Sequence, residues 1–254
     1  MPPEQGEQGR MRVSAVFIKP ERGEPMRAVA RAEAGTHGLV GDCHAHPLGP
    51  RQVLVVRQED LDDLGLEVWQ VRANVAIAGA AAETLRSGTV LRIGESVAVR
   101  ITHECEVCRV LRRYVAGDRF ASLPGRRGWL GVFVHGGAIV LGDPVRAHAD
   151  QYPAVPDRIY DRLAWVVARI PAGKVVTYDA LLALVGASRP YFRVLPIYLR
   201  RTQAAGLPVH RVLTTASAPT GVVAGQLEAL AAEGVDDLGG HRWDARELYL
   251  EPDG

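Results

Sequence analysis

The chain has 254 residues, about 1.7 times a typical domain of roughly 150 residues, so its length favours two domains. Apolar residues make up 47% and charged residues 23%, a globular balance that excludes a mainly disordered or fibrous chain. The net charge of +1 marks no partner by itself. Apolar runs such as Ala164 to Ala168 fall far short of the roughly 18 residues a membrane span needs, and Met1 to Arg10 lacks a signal-peptide core, so a cytoplasmic protein with no membrane partner is expected. Three cysteines cannot all pair with one another, and Cys105 and Cys108 stand too close for a stabilising loop, so they are read as thiols.

From the N-terminus, Val13 to Ile18, Gln52 to Arg57, Asn74 to Ala78, Thr89 to Ile93, Val97 to Thr102, Gly131 to Val134 and Ala138 to Val145 are short β-branched runs punctuated by glycine, which predicts strands. Helical periodicity in this half is brief, at Gln58 to Leu64 and Arg109 to Tyr114. Many strands and few helices predict a β-barrel for residues 1–147. Residues 148–156, with two prolines, read as a linker. From 157 to 254 the period changes to 3.6. Ile159 to Ile170 places Leu163, Val166, Val167 and Ile170 on one face before Pro171; a second helix starts from Thr177 as N-cap and stops at Gly186; a third runs from Pro190 to Arg201. Two helices joined at a glycine, the later one rich in arginine, predict a mostly α domain of winged-helix-like, helix-turn-helix type.

Chemistry-bearing residues concentrate in two places in the first half. Gly41-Asp42-Cys43-His44-Ala45-His46 and Cys105-Glu106-Val107-Cys108 supply thiols and imidazoles able to hold a soft metal if they meet across the barrel. On spacing alone a single Cys-x-x-Cys reads as two core cysteines. The order Gly38 to His44, Arg51-Gln52-Val53, Arg72 to Val75, Leu85 to Gly94, Cys105 to Arg109, Gly136-Gly137 and Gly142 to Val145 resembles the MOSC family, named for the C-terminal domain of molybdenum cofactor sulfurase. The resemblance spans about Arg12 to Arg146. It implies a β-rich barrel, a possible molybdenum cofactor, and a cysteine that carries sulfur or ligates the metal. Cys108 matches that cysteine best, and Cys105 is the second candidate. Asp42, His44 and Asn74 would line the pocket, while Arg109 and Arg112 would support the thiolate or bind a cofactor phosphate. Several members of that family reduce N-hydroxylated compounds, including modified nucleobases.

Charge separates within the second half. Arg158 to Arg211 holds nine basic residues against two acids, and Val212 to Gly254 holds two arginines against eight acids. A local cationic block suits a phosphate backbone, although a solvated helix face looks the same. Ile170 to Tyr178, Arg193, Leu207 to Val212, Glu233-Gly234-Val235 and His241-Arg242-Trp243 resemble the DNA-binding domain of O6-alkylguanine-DNA alkyltransferases. Where those proteins carry the acceptor cysteine, this chain has Val209, which has no nucleophilic atom. The resemblance therefore points to alkyltransferase-like proteins, which bind double-stranded DNA containing an alkylated guanine without repairing it and recruit repair factors. It implies Tyr178, Arg193, Val209, His210, Arg211, Lys174 and Thr177 as DNA-binding residues, with an extruded base beside Val209 and His210 and Glu233 bonded to His210. Pro196 is expected to kink the helix after Arg193.

The resulting expectation is a two-part protein: a lesion-recognition module, nucleoid-associated when bound, fused to a domain handling molybdenum cofactor or sulfur. The alternatives are a molybdenum-dependent reductase or sulfur carrier with a degenerate C-terminal scaffold, and a zinc-binding adaptor using Cys43, His44, Cys105 and Cys108.

Overall fold

A computed structural model of the chain describes residues 11–115, 117 and 119–251, without the side chains of Arg109 and Val110. The described residues up to Pro47, Arg51–Ala154 and those from Tyr249 onward form one compact unit, and Leu48–Pro50 with Val155–Leu248 form a second.

The first unit contains β1 (Arg12–Ile18), β2 (Arg27–Ala28), β3 (Arg31–Gly35), β4 (Gly38–Leu39), β5 (Val53–Arg57), α1 (Gln58–Leu64), α2 (Val68–Val71), β6 (Val75–Ala78), β7 (Val90–Ile93), β8 (Val97–Glu104), β9 (Trp129–His135), β10 (Gly137–Val140) and β11 (Val145–His148). Eight of these strands form a sheet in the order β11-β7-β8-β9-β5-β6-β1-β2, and β10-β3-β4 form a smaller one. The large sheet is a curled half-barrel. Its β1 and β11 regions are joined outside regular pairing, by Val13 N–H to the Asp143 carbonyl (2.9 Å) and Val145 N–H to the Met11 carbonyl (2.8 Å).

Alternation explains why β5 is buried on both faces. Val53 and Val55 enter one core with Val75, Ile77, Leu91, Val99, Ile101 and Phe133. Leu54 and Val56 enter another with Leu61 and Leu64 of α1, Val68 and Val71 of α2, and Cys105. The two short helices thus cover the sheet's second face, and a half-exposed strand becomes a continuous apolar run. The predicted strand Ala138 to Val145 divides into β10 and β11 at a turn, where the Asp143 carboxylate accepts the Val140 amide at 2.7 Å. The predicted helix at Arg109 to Tyr114 is a 3₁₀ segment, Arg109–Arg113. Strand β3 carries no local strand signal, because Arg-Ala-Glu-Ala-Gly has no β-branched residue; its alanines are nevertheless buried.

The second unit holds α3 (Ile159–Ala168), β12 (Val176–Thr177), α4 (Tyr178–Val185), α5 (Leu195–Ala204), β13 (Val212–Thr215), β14 (Ala218–Pro219) and α6 (Gln226–Ala232). Strand β13 pairs in parallel with β12 and antiparallel with β14. The N-cap and stop of α4 lie where the sequence places them: Thr177 Oγ1 accepts the Ala180 amide at 3.3 Å, and Gly186 takes the left-handed conformation at φ 70°. The predicted third helix is instead two pieces, a 3₁₀ segment Arg189–Arg193 and α5. Pro196 does not kink a continuous helix. It sits in the first turn of α5, where an amide has no helical partner to lose, and the chain breaks at Val194 just before it. The described elements of this unit are helices with a small three-stranded sheet, in keeping with the expected mostly helical half. No helix among the described residues is long and apolar enough to cross a membrane.

Candidate functional site

The loop after β4 is built around a buried carboxylate. Asp42 accepts four hydrogen bonds: the Lys19 amide (2.8 Å) and Asn74 Nδ2 (2.8 Å) on Oδ2, and the His44 amide (2.8 Å) and ring Nδ1 (2.9 Å) on Oδ1. Burial alone would raise this carboxyl; the bonds from His44 and Lys19 outweigh it and hold the group below its usual range. Asn74 is equally committed, accepting the Leu54 amide at 3.0 Å and donating to the Phe17 carbonyl at 3.2 Å. It therefore ties the loop to β1, β5 and β6 rather than lining a pocket as expected. Gln52 does the same from the start of β5, donating to the carbonyls of Thr36 and His46 and accepting the Phe133 amide, each at 3.0 Å. These anchors leave the half-exposed His44 ring with Nδ1 bonded to Asp42 and Nε2 outside that bond.

The second cluster lies where β8 ends and β9 begins. Cys105 is buried and Cys108 exposed. The Cys105 amide donates to the Gly128 carbonyl at 2.9 Å, which pins the cysteine loop against the Arg127-Gly128 turn. Gly128 is required there: its φ is +106°, and a Cβ would meet Val56 Cγ1 at 2.5 Å and the Val55 carbonyl oxygen at 2.7 Å. Burial pushes the Cys105 thiol up, against the opposing pull of Arg127 and Arg51. Cys108 starts the 3₁₀ segment, its carbonyl accepting the Leu111 amide at 3.1 Å. Arg112 is exposed and lies over the Phe120 ring, 4.5 Å from its centroid. The side chain of Arg109 lies outside the described residues. Arg127, one of two adjacent arginines that look alike in the sequence, is 5% exposed, and its Nε and Nη1 have no hydrogen-bond partner.

The two clusters do not assemble the expected zinc set. Asn74 bonds to Leu54 in β5, Leu54 pairs with Leu130 in β9, and Leu130 pairs with His103 in β8. Along the sheet, Asn74 and the strand that leads to Cys105 are thus three positions apart. Among the described residues, Asp42, Cys43 and His44 are the one group of three potential metal ligands lying within 4.8 Å of each other. Its carboxylate is already saturated by N–H donors, and Cys105 and Cys108 are not in the group.

In the second unit, the expected DNA-binding residues have different fates. Glu233 accepts His210 Nε2 (2.8 Å), Arg211 Nη2 (2.7 Å) and the Gly173 amide (2.9 Å). The Arg211 bonds dominate in pulling its pKa from 4.5 to about 2, with the Gly173 amide and His210 adding to them against partial burial. Arg211 is thus engaged internally. Val209 is buried. Tyr178 is also buried, edge-on to Phe192 at 5.2 Å, with its hydroxyl bonded to Thr214 and Thr220; burial raises its pKa against those bonds. Thr177 caps α4. Lys174 and Arg193 remain exposed.

Comparison with known families matches residues 40–146 to the MOSC domain. The chain also resembles solved structures at low identity. The YUAD protein from Bacillus subtilis is 19% identical, over 55% of this chain and 96% of that one, with a TM-score of 0.48. YiiM from Escherichia coli is 17% identical over 76% and 94%, with a TM-score of 0.42. YiiM from Geobacillus stearothermophilus is 13% identical over 88% and 98%, with a TM-score of 0.43. No functionally curated protein matches. The family match ends at Arg146, and these comparisons do not support the expected alkyltransferase-like module or recognition of alkylated DNA.

Proposed function

We propose that the MOSC domain at residues 40–146 handles molybdenum cofactor or sulfur at the Cys105–Cys108 loop, with Cys108 as the working thiolate. The observation that carries this reading is the contrast between the two thiols: Cys108 is exposed at the head of a 3₁₀ turn, whereas Cys105 is buried and packs with Leu54, Val56 and Leu111. An accessible thiolate is a soft ligand and a sulfur nucleophile, so the donor type fits either role. The orphaned nitrogens of Arg127 fit the anionic portion of a cofactor. Molybdenum cofactor, when bound, supplies redox chemistry that protein side chains lack. Cys108 would hold it, exposed Arg112 would add positive charge, and His44, oriented by Asp42, would hold or release a proton at Nε2. Reduction of N-hydroxylated nucleobases is the reaction this assembly fits, with two electrons from an external donor and the hydroxyl oxygen leaving as water.

The test is production of the full chain in molybdate-supplemented cells, followed by metal analysis and assay on N-hydroxylated bases with an added one- or two-electron donor. Wild type and Cys105→Ser are expected to retain molybdenum, and Cys108→Ser to lose it together with reductase activity. Equal molybdenum in Cys108→Ser would overturn the assignment of Cys108 as ligand; absence of metal with persulfide on Cys108 would favour the sulfur-carrier form.

A second reading concerns residues 157–254: binding of double-stranded DNA carrying an alkylated guanine, without alkyl transfer. It is favoured by the His210–Glu233 bond beside the inert Val209, the pairing that the alkyltransferase resemblance implies. Extruding a damaged base costs less than extruding a paired one, which would give selectivity. Titration of duplexes with and without O6-methylguanine tests it. Preference for the lesion, falling with salt and in Arg193→Ala, supports it; equal or absent binding leaves the second unit as a scaffold.

A further inference from the structure

The other fully buried arginines, Arg100 and Arg162, each hold backbone carbonyls. Arg100 donates to the carbonyls of Tyr249 (2.6 Å) and Pro153 (2.8 Å). Arg162 donates to those of Val185, Pro156 and Asp157, each at 2.7 Å. Even Arg126, next in sequence, is matched by Asp60 and Asp63. Arg127 is the exception. It is 5% exposed, two of its guanidinium nitrogens have no partner, and it forms no hydrogen bond to a carbonyl and no salt bridge among the described residues. An arginine stays charged at any physiological pH, so burying it unpaired is strongly unfavourable unless an anion meets it.

Its position is set by the fold rather than by its own side chain. The Gly128 carbonyl receives the Cys105 amide, and Gly128 itself lies against Val55 and Val56 of β5. The guanidinium is thereby held at the base of the cysteine loop, in a neighbourhood to which Arg51 adds positive charge.

We propose that Arg127 anchors an oxyanion-binding subsite beside the Cys105–Cys108 loop, taking a tetrahedral phosphate-type group, either free or as a monoester. Several acceptor oxygens and a double negative charge suit a buried guanidinium with more than one unsatisfied N–H. This inference deepens the reading of the same site, yet no metal enters it, so the two fail separately.

The experiment uses the full chain purified without phosphate and follows thermal unfolding and calorimetric binding with inorganic phosphate, phenyl phosphate and chloride at constant ionic strength. Phosphate is expected to raise the wild-type Tm by about 5–10 °C near a hundredfold excess over its dissociation constant. Arg127→Met is expected to lose that response while its ligand-free Tm stays equal to or above wild type, because a buried unpaired charge has been removed; an arginine that merely props up the fold would give the opposite. Should Arg127→Met not fold, Arg127→Lys is expected to fold and bind phosphate about tenfold more weakly. Tighter binding of phenyl phosphate assigns an esterified ligand, and tighter binding of inorganic phosphate a free anion. A wild-type response no greater than that to chloride, or an undiminished phosphate response in either variant, overturns the proposal. Cys108→Ser is expected to bind phosphate as wild type does, even if it loses molybdenum.

Discussion

The ring Nδ1 of His44 lies 2.9 Å from Oδ1 of Asp42, and the same carboxylate oxygen accepts the His44 amide at 2.8 Å. One buried acid thus fixes both the backbone and the ring of the histidine two residues on. Its other oxygen binds Lys19 at the end of β1 and Asn74 before β6, so the orientation of His44 is tied to the sheet.

Asp42→Asn keeps the shape but turns an N–H₂ toward groups that are themselves donors. Leaving buried donors unmatched costs about 1–3 kcal/mol, so a Tm drop of roughly 3–10 °C is expected. Thermal unfolding checks it; a Tm unchanged within a degree would show that the loop does not depend on this carboxylate.

Thiol reactivity separates the cysteines. With folded protein at pH 8, Cys108 is expected to react with Ellman's reagent first, because it is exposed. Cys105, shielded and with its thiol pushed up, is expected to react on the timescale of unfolding. Mass mapping of partly labelled protein reads the order; early label on Cys105 would contradict the burial described.

Glu233 predicts an acid-side loss of stability. Its folded pKa of about 2 lies below its ordinary value of 4.5, so its contribution is complete above about pH 4.5 and fades as pH falls toward 2. Glu233→Gln should lower stability at pH 7 by about 1–3 kcal/mol, since His210 and Arg211 lose their shared acceptor. It should also flatten the decline between pH 4.5 and 2. Denaturant unfolding at a series of pH values measures both, and parallel profiles for the two proteins would refute the assignment.

Gly128→Ala tests the turn that carries Arg127. A methyl at φ +106° would press on Val56 and the Val55 carbonyl, and left-handed strain alone costs about 1–3 kcal/mol. A Tm fall of at least roughly 5 °C is expected, together with weaker phosphate binding. Retention of both would mean that the turn relaxes freely.

By itself the sequence determined the elements whose cause is local. The β-branched runs at Val13, Val53, Val75, Val90 and Val97 became strands, and the Thr177 cap and Gly186 stop bounded α4, because propensity, capping and left-handed glycine act over a few residues. It also singled out Asp42, His44, Cys105 and Cys108 by residue type and order, and the His210–Glu233 pairing through resemblance. Burial and hydrogen-bond partners were decided only by the tertiary structure, because they depend on strands distant in sequence. Packing across β5, β8 and β9 made Cys105 core and left Cys108 open, consumed Asn74 in tying strands together, and left both thiols outside the Asp42–Cys43–His44 group. The same packing buried Arg127 without a partner while giving its neighbour Arg126 two acids. In the sequence the two stand side by side as identical residues, and only the field and contacts of the folded sheet tell them apart.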